Sequence, residues 1–397
     1  MSFPSFKCIR AVLLILSGMY GSNNAFAQPY SWTNLPDFIG LERDDAVAFS
    51  IDKTIYLGSG NHGGFAQSNY FYAFDIEKGA WRSVSAFPGV ARQYAAVEVV
   101  NERAYLIGGI DLFNNPLNDC WVYDSRTNTW TEMSSVPANP RWQAVSFVLN
   151  DQIYYGTGRD WTLFYKDFWQ YSLKTDEWLR LSDLPDEPSY ERVAFSVANH
   201  GYIGLGRDCT GVFIPSFLRY NDVTDQWFDI GTFPGTPRYY ASATQLGSEA
   251  VVCAGQSEAG LMLKDAWVFD PLEETWKEIN SGFEAGIRGQ SSCYIPFYGA
   301  FFCLGLNEDF ERSAVVSVLR NNRIYDDYNN LFYNHLNGFI YIDGLDVNSV
   351  LTVYSILGDL VVDQRVSVEM IQLSTADWAK GVYLVSVNER TKKIVVH

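Results

Sequence analysis

The side chain this sequence repeats in a way that could do chemistry is arginine. Arg43, Arg92, Arg141, Arg238 and Arg288 each precede a glycine by 17 residues, at Gly60, Gly109, Gly158, Gly255 and Gly305. Guanidinium groups that converge suit carboxylates, because the planar fork matches the two oxygens. Before Gly206 the arginine's place is taken by Ser189, with Glu191-Arg192 displaced from it, so the pattern is broken once. Broken symmetry is where an asymmetric ligand would sit. Just after the glycines stand Asn61, His62, Asp111, Arg159, Asp160, Arg207, Asp208, Gln256 and Glu308. The candidate ligand-binding set is Arg43, Arg92, Arg141, Arg192, Arg238, Arg288, Asp160, Asp208, Glu191 and Gln256, expected to ring one mouth of a central channel. Trp142, Trp161, Phe164, Tyr165, Tyr239 and Tyr240 would add faces for stacking on sugar rings. A plainer role is open for the arginines, since residues shared by all repeats usually serve the repeat. They would then bond carbonyls and nearby acids and stitch neighbouring units.

The elements that position these residues are read from tryptophan. Trp32, Trp81, Trp130, Trp178, Trp227 and Trp276 are separated by 49, 49, 48, 49 and 49 residues, the mark of one structural unit reused. Within a unit the apolar pattern has period two, as in 95–100 and 104–107, closing on Gly108-Gly109. Two further strands follow at 119–124 and 129–133, so each unit supplies four. Such a sheet carries apolar residues on both faces and cannot bury them alone; the units must stack, and radial stacking closes a ring. Trp32 is a fourth-strand tryptophan with no first three strands before it, while 288–320 supplies three strands and lacks a fourth. Together they complete a sixth unit. The composition agrees with an all-β chain, with 16% aromatic and only 19% charged residues.

The paired-glycine slot, the Trp-Val-Tyr-Asp and Trp-Val-Phe-Asp strands at 121–124 and 267–270, and Trp130 with its equivalents resemble the kelch family. The resemblance implies a six-bladed kelch-type β-propeller over 28–320, closed by an N-terminal strand. The slot departs from a strict Gly-Gly pair at Gly58-Ser59-Gly60, Gly156-Thr157-Gly158, Gly204-Leu205-Gly206, Ala254-Gly255 and Leu304-Gly305. Kelch propellers commonly display binding loops, and bacterial six-bladed kelch propellers include sialic acid mutarotases, which Gly255-Gln256-Ser257-Glu258-Ala259-Gly260-Leu261 resembles locally. That family places an acid where Gln256 stands and a basic residue near Met262; glutamine cannot carry the proton that acid/base chemistry needs. A copper oxidase of the galactose oxidase kind is disfavoured, because only His62 and His200 lie in the repeats.

After Arg320 the period stops. Short apolar strands follow, and Val353-Tyr354-Ser355-Ile356-Leu357-Gly358-Asp359-Leu360-Val361, Ile371-Gln372-Leu373-Ser374, Lys380-Gly381-Val382-Tyr383-Leu384-Val385 and Lys392-Lys393-Ile394-Val395-Val396 look like the type IX secretion system C-terminal sorting domain of Bacteroidetes. The resemblance implies a small Ig-like β-sandwich over 324–397 that partners the secretion machinery and is removed after export. The family's usual Pro-Asn-Pro opening is missing. At the other end, Lys7 and Arg10, the apolar run 11–16 and Ala25-Phe26-Ala27 read as a secretory signal over 1–27. Its loss takes the net charge from −17 to −19, which repels nucleic acid. No stretch has the 18 or more apolar residues of a membrane helix.

The reading is thus a secreted or cell-surface protein that binds a glycan, peptide or protein ligand, with a mutarotase- or epimerase-like enzyme on an acidic sugar as the alternative and no cofactor expected. Five cysteines remain after residue 27. Cys293 and Cys303 lie symmetrically about Tyr298, so a tight hairpin there would set them opposite one another, as a disulfide or as two buried thiols.

Overall fold

The computed structural model describes residues 30–321 except 297, together with 331–334, 339–343, 350–365, 370–376, 378–387 and 390–396. The signal reading over 1–27 lies outside the described residues.

Alternation of apolar and polar residues sets the local structure, and the described chain is β-rich throughout. Four-stranded antiparallel sheets recur along it. In the second sheet the strands are Ala96–Val100, Arg103–Asp111, Pro116–Asp124 and Thr129–Met133, hydrogen-bonded in chain order. Sheets one, three, four and five repeat this order over 47–83, 145–180, 193–232 and 242–279. The sixth joins the two ends of the repeat region: Ser291–Ile295, Gly299–Cys303 and Val316–Asn321 take Tyr30–Asn34 as their outermost strand, with Tyr30 opposite Asn321. These sheets are consistent with the blades of a kelch propeller.

Aromatic packing fills the spaces between sheets. Phe49, Tyr56 and Phe71 of sheet one pack with Leu106 and Tyr123 of sheet two, and Trp130 closes on them. Each such side chain buries on the order of 150 to 250 Å². Five of the periodic tryptophans also donate their indole N–H to a carbonyl of the sheet before: Trp81 to Pro36, Trp130 to Ser85, Trp178 to Ser134, Trp227 to Ser182, and Trp32 to Asn280. The last of these ties sheet six to sheet five.

The irregular glycine slot has a steric explanation. Its first residue sits at φ 61° in Ser59, 61° in Thr157, 56° in Leu205 and 60° in Ala254, a left-handed conformation that non-glycine residues reach at modest cost. At the second position a Cβ would lie 2.6 Å from the Asp44 carbonyl oxygen in the case of Gly60, and 2.6 Å from the Tyr190 oxygen in that of Gly206. Backbone cannot give way there, so only the second glycine is required.

The register corrects the expectation for Cys293 and Cys303. Ile295 pairs with Gly299, which sets Cys293 opposite Phe301 and Cys303 opposite Ser291. The two cysteines are diagonal rather than facing, and both are free and buried. Burial pushes both thiols up.

The C-terminal residues form a three-stranded sheet, with Phe339–Asp343 between Leu331–Asn334 and Met370–Ser374, and a four-stranded one ordered Leu360–Arg365, Val350–Ser355, Gly381–Val387, Arg390–Val396. Ile340 of the first joins Leu351, Val353, Tyr383 and Val385 of the second in one apolar cluster. Among the described residues no helix is long and apolar enough to cross a membrane.

The cysteines give a direct check of this packing. Thiol titration of the folded protein in the absence of reductant should find Cys209 as the reactive group, and denaturant should release Cys120, Cys253, Cys293 and Cys303. A mass consistent with a disulfide between 293 and 303 would contradict the register.

Candidate functional site

The slot arginines do not offer their forks to a ligand. Arg43, Arg92, Arg141 and Arg238 are at most 1% exposed. Each donates Nε to the carbonyl two residues before it and Nη1 to the carbonyl preceding the slot glycine, at 2.8 to 3.1 Å. Three then close bidentately on an acid of their own sheet: Arg92 on Asp119, Arg141 on Asp167 and Arg238 on Asp265. Burial alone would raise the Asp167 and Asp265 carboxyls; the arginine forks and the Trp169 and Trp267 indoles outweigh it and hold both below their ordinary value. The side chains bond carbonyls and acids as the plainer reading expects, but within one sheet. Between sheets it is the backbone that joins. The slot glycine amide donates to the carbonyl at the arginine position of the next sheet: Gly60 to Arg92, Gly109 to Arg141, Gly158 to Ser189, Gly206 to Arg238, Gly255 to Ile287 and Gly305 to Arg43.

This series corrects the place of Arg288. Ile287 holds the arginine position in sheet six, and Arg288 lies one residue beyond it. In sheet four Arg192 reaches back to fill the place that Ser189 leaves, donating to Asp186 at 2.6 Å and to the Ser189 hydroxyl at 3.3 Å. Asp160 and Asp208 also turn inward to their own loops. Asp160 accepts from the amides of Thr162 and Leu163 and from the Tyr165 hydroxyl, and Asp208 from the amides and hydroxyl of Thr210 and Val212. Gln256 accepts from the Tyr239 hydroxyl at 2.6 Å and donates to the Gly260 carbonyl.

Two residues after the arginine position lies a set that sequence reading named only through Glu191 and Tyr240. Asp45, Tyr94, Gln143, Glu191, Tyr240 and Gly289 all have φ between 50° and 62°, one per sheet. Five of the six are not glycine although the conformation favours it, so the surrounding backbone must hold them there. Backbone bonds tie the set together: Asp45 to Gly289, Tyr94 to Asp45, Gln143 to Tyr94 and Gly289 to Tyr240, each amide donating to the carbonyl named second. These residues line a cavity of about 200 Å³. A second cavity, of about 410 Å³, is lined by the first strands of all six sheets.

Side chains from this set meet one another. The Tyr94 and Tyr240 hydroxyls lie 3.3 Å apart with their rings stacked. Gln143 donates to Glu191 at 2.9 Å and to the Tyr240 hydroxyl at 3.0 Å, and Arg207 closes on Glu191 at 2.6 Å. Burial and the adjacent Asp44 push the Asp45 carboxyl up to about 8. Burial raises Glu191 as well, against the pull of Arg207, and pushes both tyrosines well above their ordinary value. Around this floor stand three arginines against aromatic rings. Arg159 lies 5.2, 5.0 and 5.0 Å from the ring centres of Trp142, Phe164 and Tyr190; Arg207 lies 5.0 Å from Tyr190 and 4.1 Å from Tyr239; Arg288 lies 4.8 Å from Tyr240. The aromatics expected at this mouth are thus present, but Trp142, Phe164, Tyr239 and Tyr240 face arginines, while Trp161 stays 57% exposed. Among the described residues no cluster of His, Cys, Asp or Glu has metal-binding geometry.

Residues 30–205 match the profile of the KLHDC2/KLHL20/DRC7 kelch-repeats domain and 237–282 that of the kelch motif. The chain therefore carries a kelch-repeat domain. Residues 331–397 match the secretion system C-terminal sorting domain, so the repeats are followed by an export module of the type IX kind. Among solved structures, one described as "Structure of YjhT" aligns with a TM-score of 0.62 at 15% identity, covering 72% of this chain and 99% of that one; the likeness is one of fold. No match was found among curated proteins.

Two measurements test this account. Arg141→Ala leaves Asp167 without its partner in a largely buried site and should cost about 3 to 5 kcal/mol in urea unfolding; a cost below 1 kcal/mol would return the arginine to the ligand. The second concerns Glu98, which lines the larger cavity and meets only the Ser146 hydroxyl, at 2.7 Å. Burial raises its carboxyl from 4.5 to about 7. The folded state binds this proton more tightly than the unfolded chain does, so the contribution is full below pH 4.5 and is lost as pH rises through 7. Glu98→Gln should therefore be more stable than the parent at pH 8, by up to about 3 kcal/mol, with the advantage gone at pH 4.5.

Proposed function

We propose that the protein is a six-bladed propeller closed by Tyr30–Asn34 and displayed outside the cell as a binding module for a glycan, peptide or protein ligand. A leader over 1–27 and a C-terminal Ig-like sandwich serve its export. Closure is supported by the Gly305 amide bonded to the Arg43 carbonyl and by the Trp32 indole bonded to Asn280. The observation that carries the binding role is the contrast among arginines. Those of the repeat are buried and spent, whereas Arg159 and Arg207 are partly exposed and framed by Trp142, Phe164, Tyr190 and Tyr239 at the mouth of the axial cavity. The aromatic frame holds Arg159 in place without neutralising it, while Arg207 also pairs with Glu191.

One observation favours the alternative, an enzyme on an acidic sugar. Asp45 and Glu191 are enclosed carboxyls with raised proton affinity, and so could carry the proton that Gln256 cannot. The readings separate in proton NMR of acidic sugars mixed with the protein. Saturation transfer without faster anomer exchange marks a binder, and faster exchange marks an enzyme. For either, Arg159→Ala and Arg207→Ala should each weaken the ligand at least about tenfold, the loss of about 1.4 kcal/mol, while the fold is kept. Removal of 331–397 should leave the protein undelivered to the medium or cell surface.

A further inference from the structure

Around the cavity floor the arginines meet acids one to one, except at Arg159. Three buried acids each face one arginine: Asp44 pairs with Arg312 at 2.7 Å, Glu191 with Arg207 at 2.6 Å, and Asp45 feels Arg288. Arg159 is the fourth cation, and its neighbours are three aromatic rings and the Asp160 carbonyl at 3.4 Å rather than a carboxylate. It shares the Tyr190 ring with Arg207, so the unmatched charge and the Glu191 pair lie side by side.

Glu191 is held from several directions. Arg207 comes from its own sheet, Gln143 from sheet three and Tyr240 from sheet five, while at longer range the Glu191 charge raises the Asp45 carboxyl and the Tyr239 phenol. Arg192, next in sequence, is engaged by Asp186. Among the described residues only Arg207 supplies a full positive charge in direct contact with Glu191. If another anion takes that guanidinium, the Glu191 carboxylate is left buried against Gln143 and Tyr240 with no cation in contact, where an ionised carboxyl is expensive.

Resting on the mouth being a binding site, we propose that its ligand bears a carboxylate, which takes Arg207 from Glu191 with Arg159 as the second cation, and that Glu191 then accepts a proton. The exchange balances: ligand carboxylate, the Arg207–Glu191 pair and one proton from solvent give the ligand–Arg207 pair and a neutral Glu191. Gln143 and Tyr240 remain in reach of the neutral acid; Gln143 now presents Nε2 to Glu191, and turning its amide over would present Oε1, which has no partner among the described residues, as the acceptor for the new O–H. The carboxylate can come from an acidic sugar or from an acidic peptide, whose ring faces or side chains would meet Trp161 and Phe164.

Titration calorimetry of the full-length protein tests this, with glucuronate and an acetylated Asp-Phe amide as the two carboxylate probes and glucose as the neutral control. Run at pH 7 in phosphate and in Tris, whose ionisation heats differ, it reads protons taken up per ligand bound. The expected result is uptake approaching one proton with the probe that binds, and affinity that falls up to tenfold per pH unit above neutrality. Glu191→Gln, which keeps the shape and lacks the charge, should abolish the uptake, flatten the pH profile and strengthen binding several-fold. Arg159→Ala should abolish binding of either carboxylate. Uptake with glucuronate alone assigns a sugar and with the peptide alone a peptide. Binding without proton uptake, weaker binding by Glu191→Gln, or failure of both probes overturns the proposal. Binding of glucose that Arg159→Ala leaves intact overturns it too, yet leaves the mouth as a binding site.

Discussion

One hydrogen bond recurs at every junction of this structure, from the amide of a slot glycine to the carbonyl at the arginine position of the next sheet. The same glycine lies so close to the incoming loop of its own sheet that any Cβ would clash with backbone there. In four of the six sheets a buried arginine fixes the same loop from the other side, through two carbonyls and, in three of these, an aspartate. Glycine and arginine are therefore two halves of one joint. That joint sets the height and angle of the next residues, and with them the left-handed turn that places Asp45, Tyr94, Gln143, Glu191 and Tyr240 together. The candidate site is a by-product of the way the sheets are joined.

Much of this was legible in sequence, because it is written as periodicity. Tryptophans spaced by 48 or 49 residues disclose the unit, its strand count and the pairing of the N-terminal strand with the last repeat, since a Trp32 without preceding strands has one place to go. The arginine column was equally visible, but its role was not. A column of like charges reads either as a binding ring or as a structural joint, and what decides is the acid 26 or 27 residues later, which becomes a neighbour only through the third strand. Arg288 misled by coincidence of spacing: sheet six has one residue more before its glycine, and the arginine falls just past the joint.

The axial set was missed for a different reason. Asp45, Tyr94, Gln143, Glu191, Tyr240 and Gly289 have no common chemistry, so a search for repeated residue types passes over them. Their shared property is a backbone angle. Lack of repetition at a position that the repeat holds rigidly is itself a signal, because the joint residues answer to the fold and the variable ones are free to answer to something else. Reading the column two places after the arginine would have exposed it.

The strand that completes the sixth sheet has a consequence in time. Tyr30 lies opposite Asn321, so the pairing joins the two extremes of the repeat region and can form only after everything between has been made. Contacts this distant in sequence form late, since the entropy of closing so long a loop must be met before the strand contributes anything. Until then the chain exposes one unpaired strand edge at Val316–Asn321 and an unpaired strand at Tyr30–Asn34, two features prone to pair with a stranger. Until Tyr30–Asn34 reaches that edge the hazard stays with the chain, and the pairing of its two distant strands is what removes it.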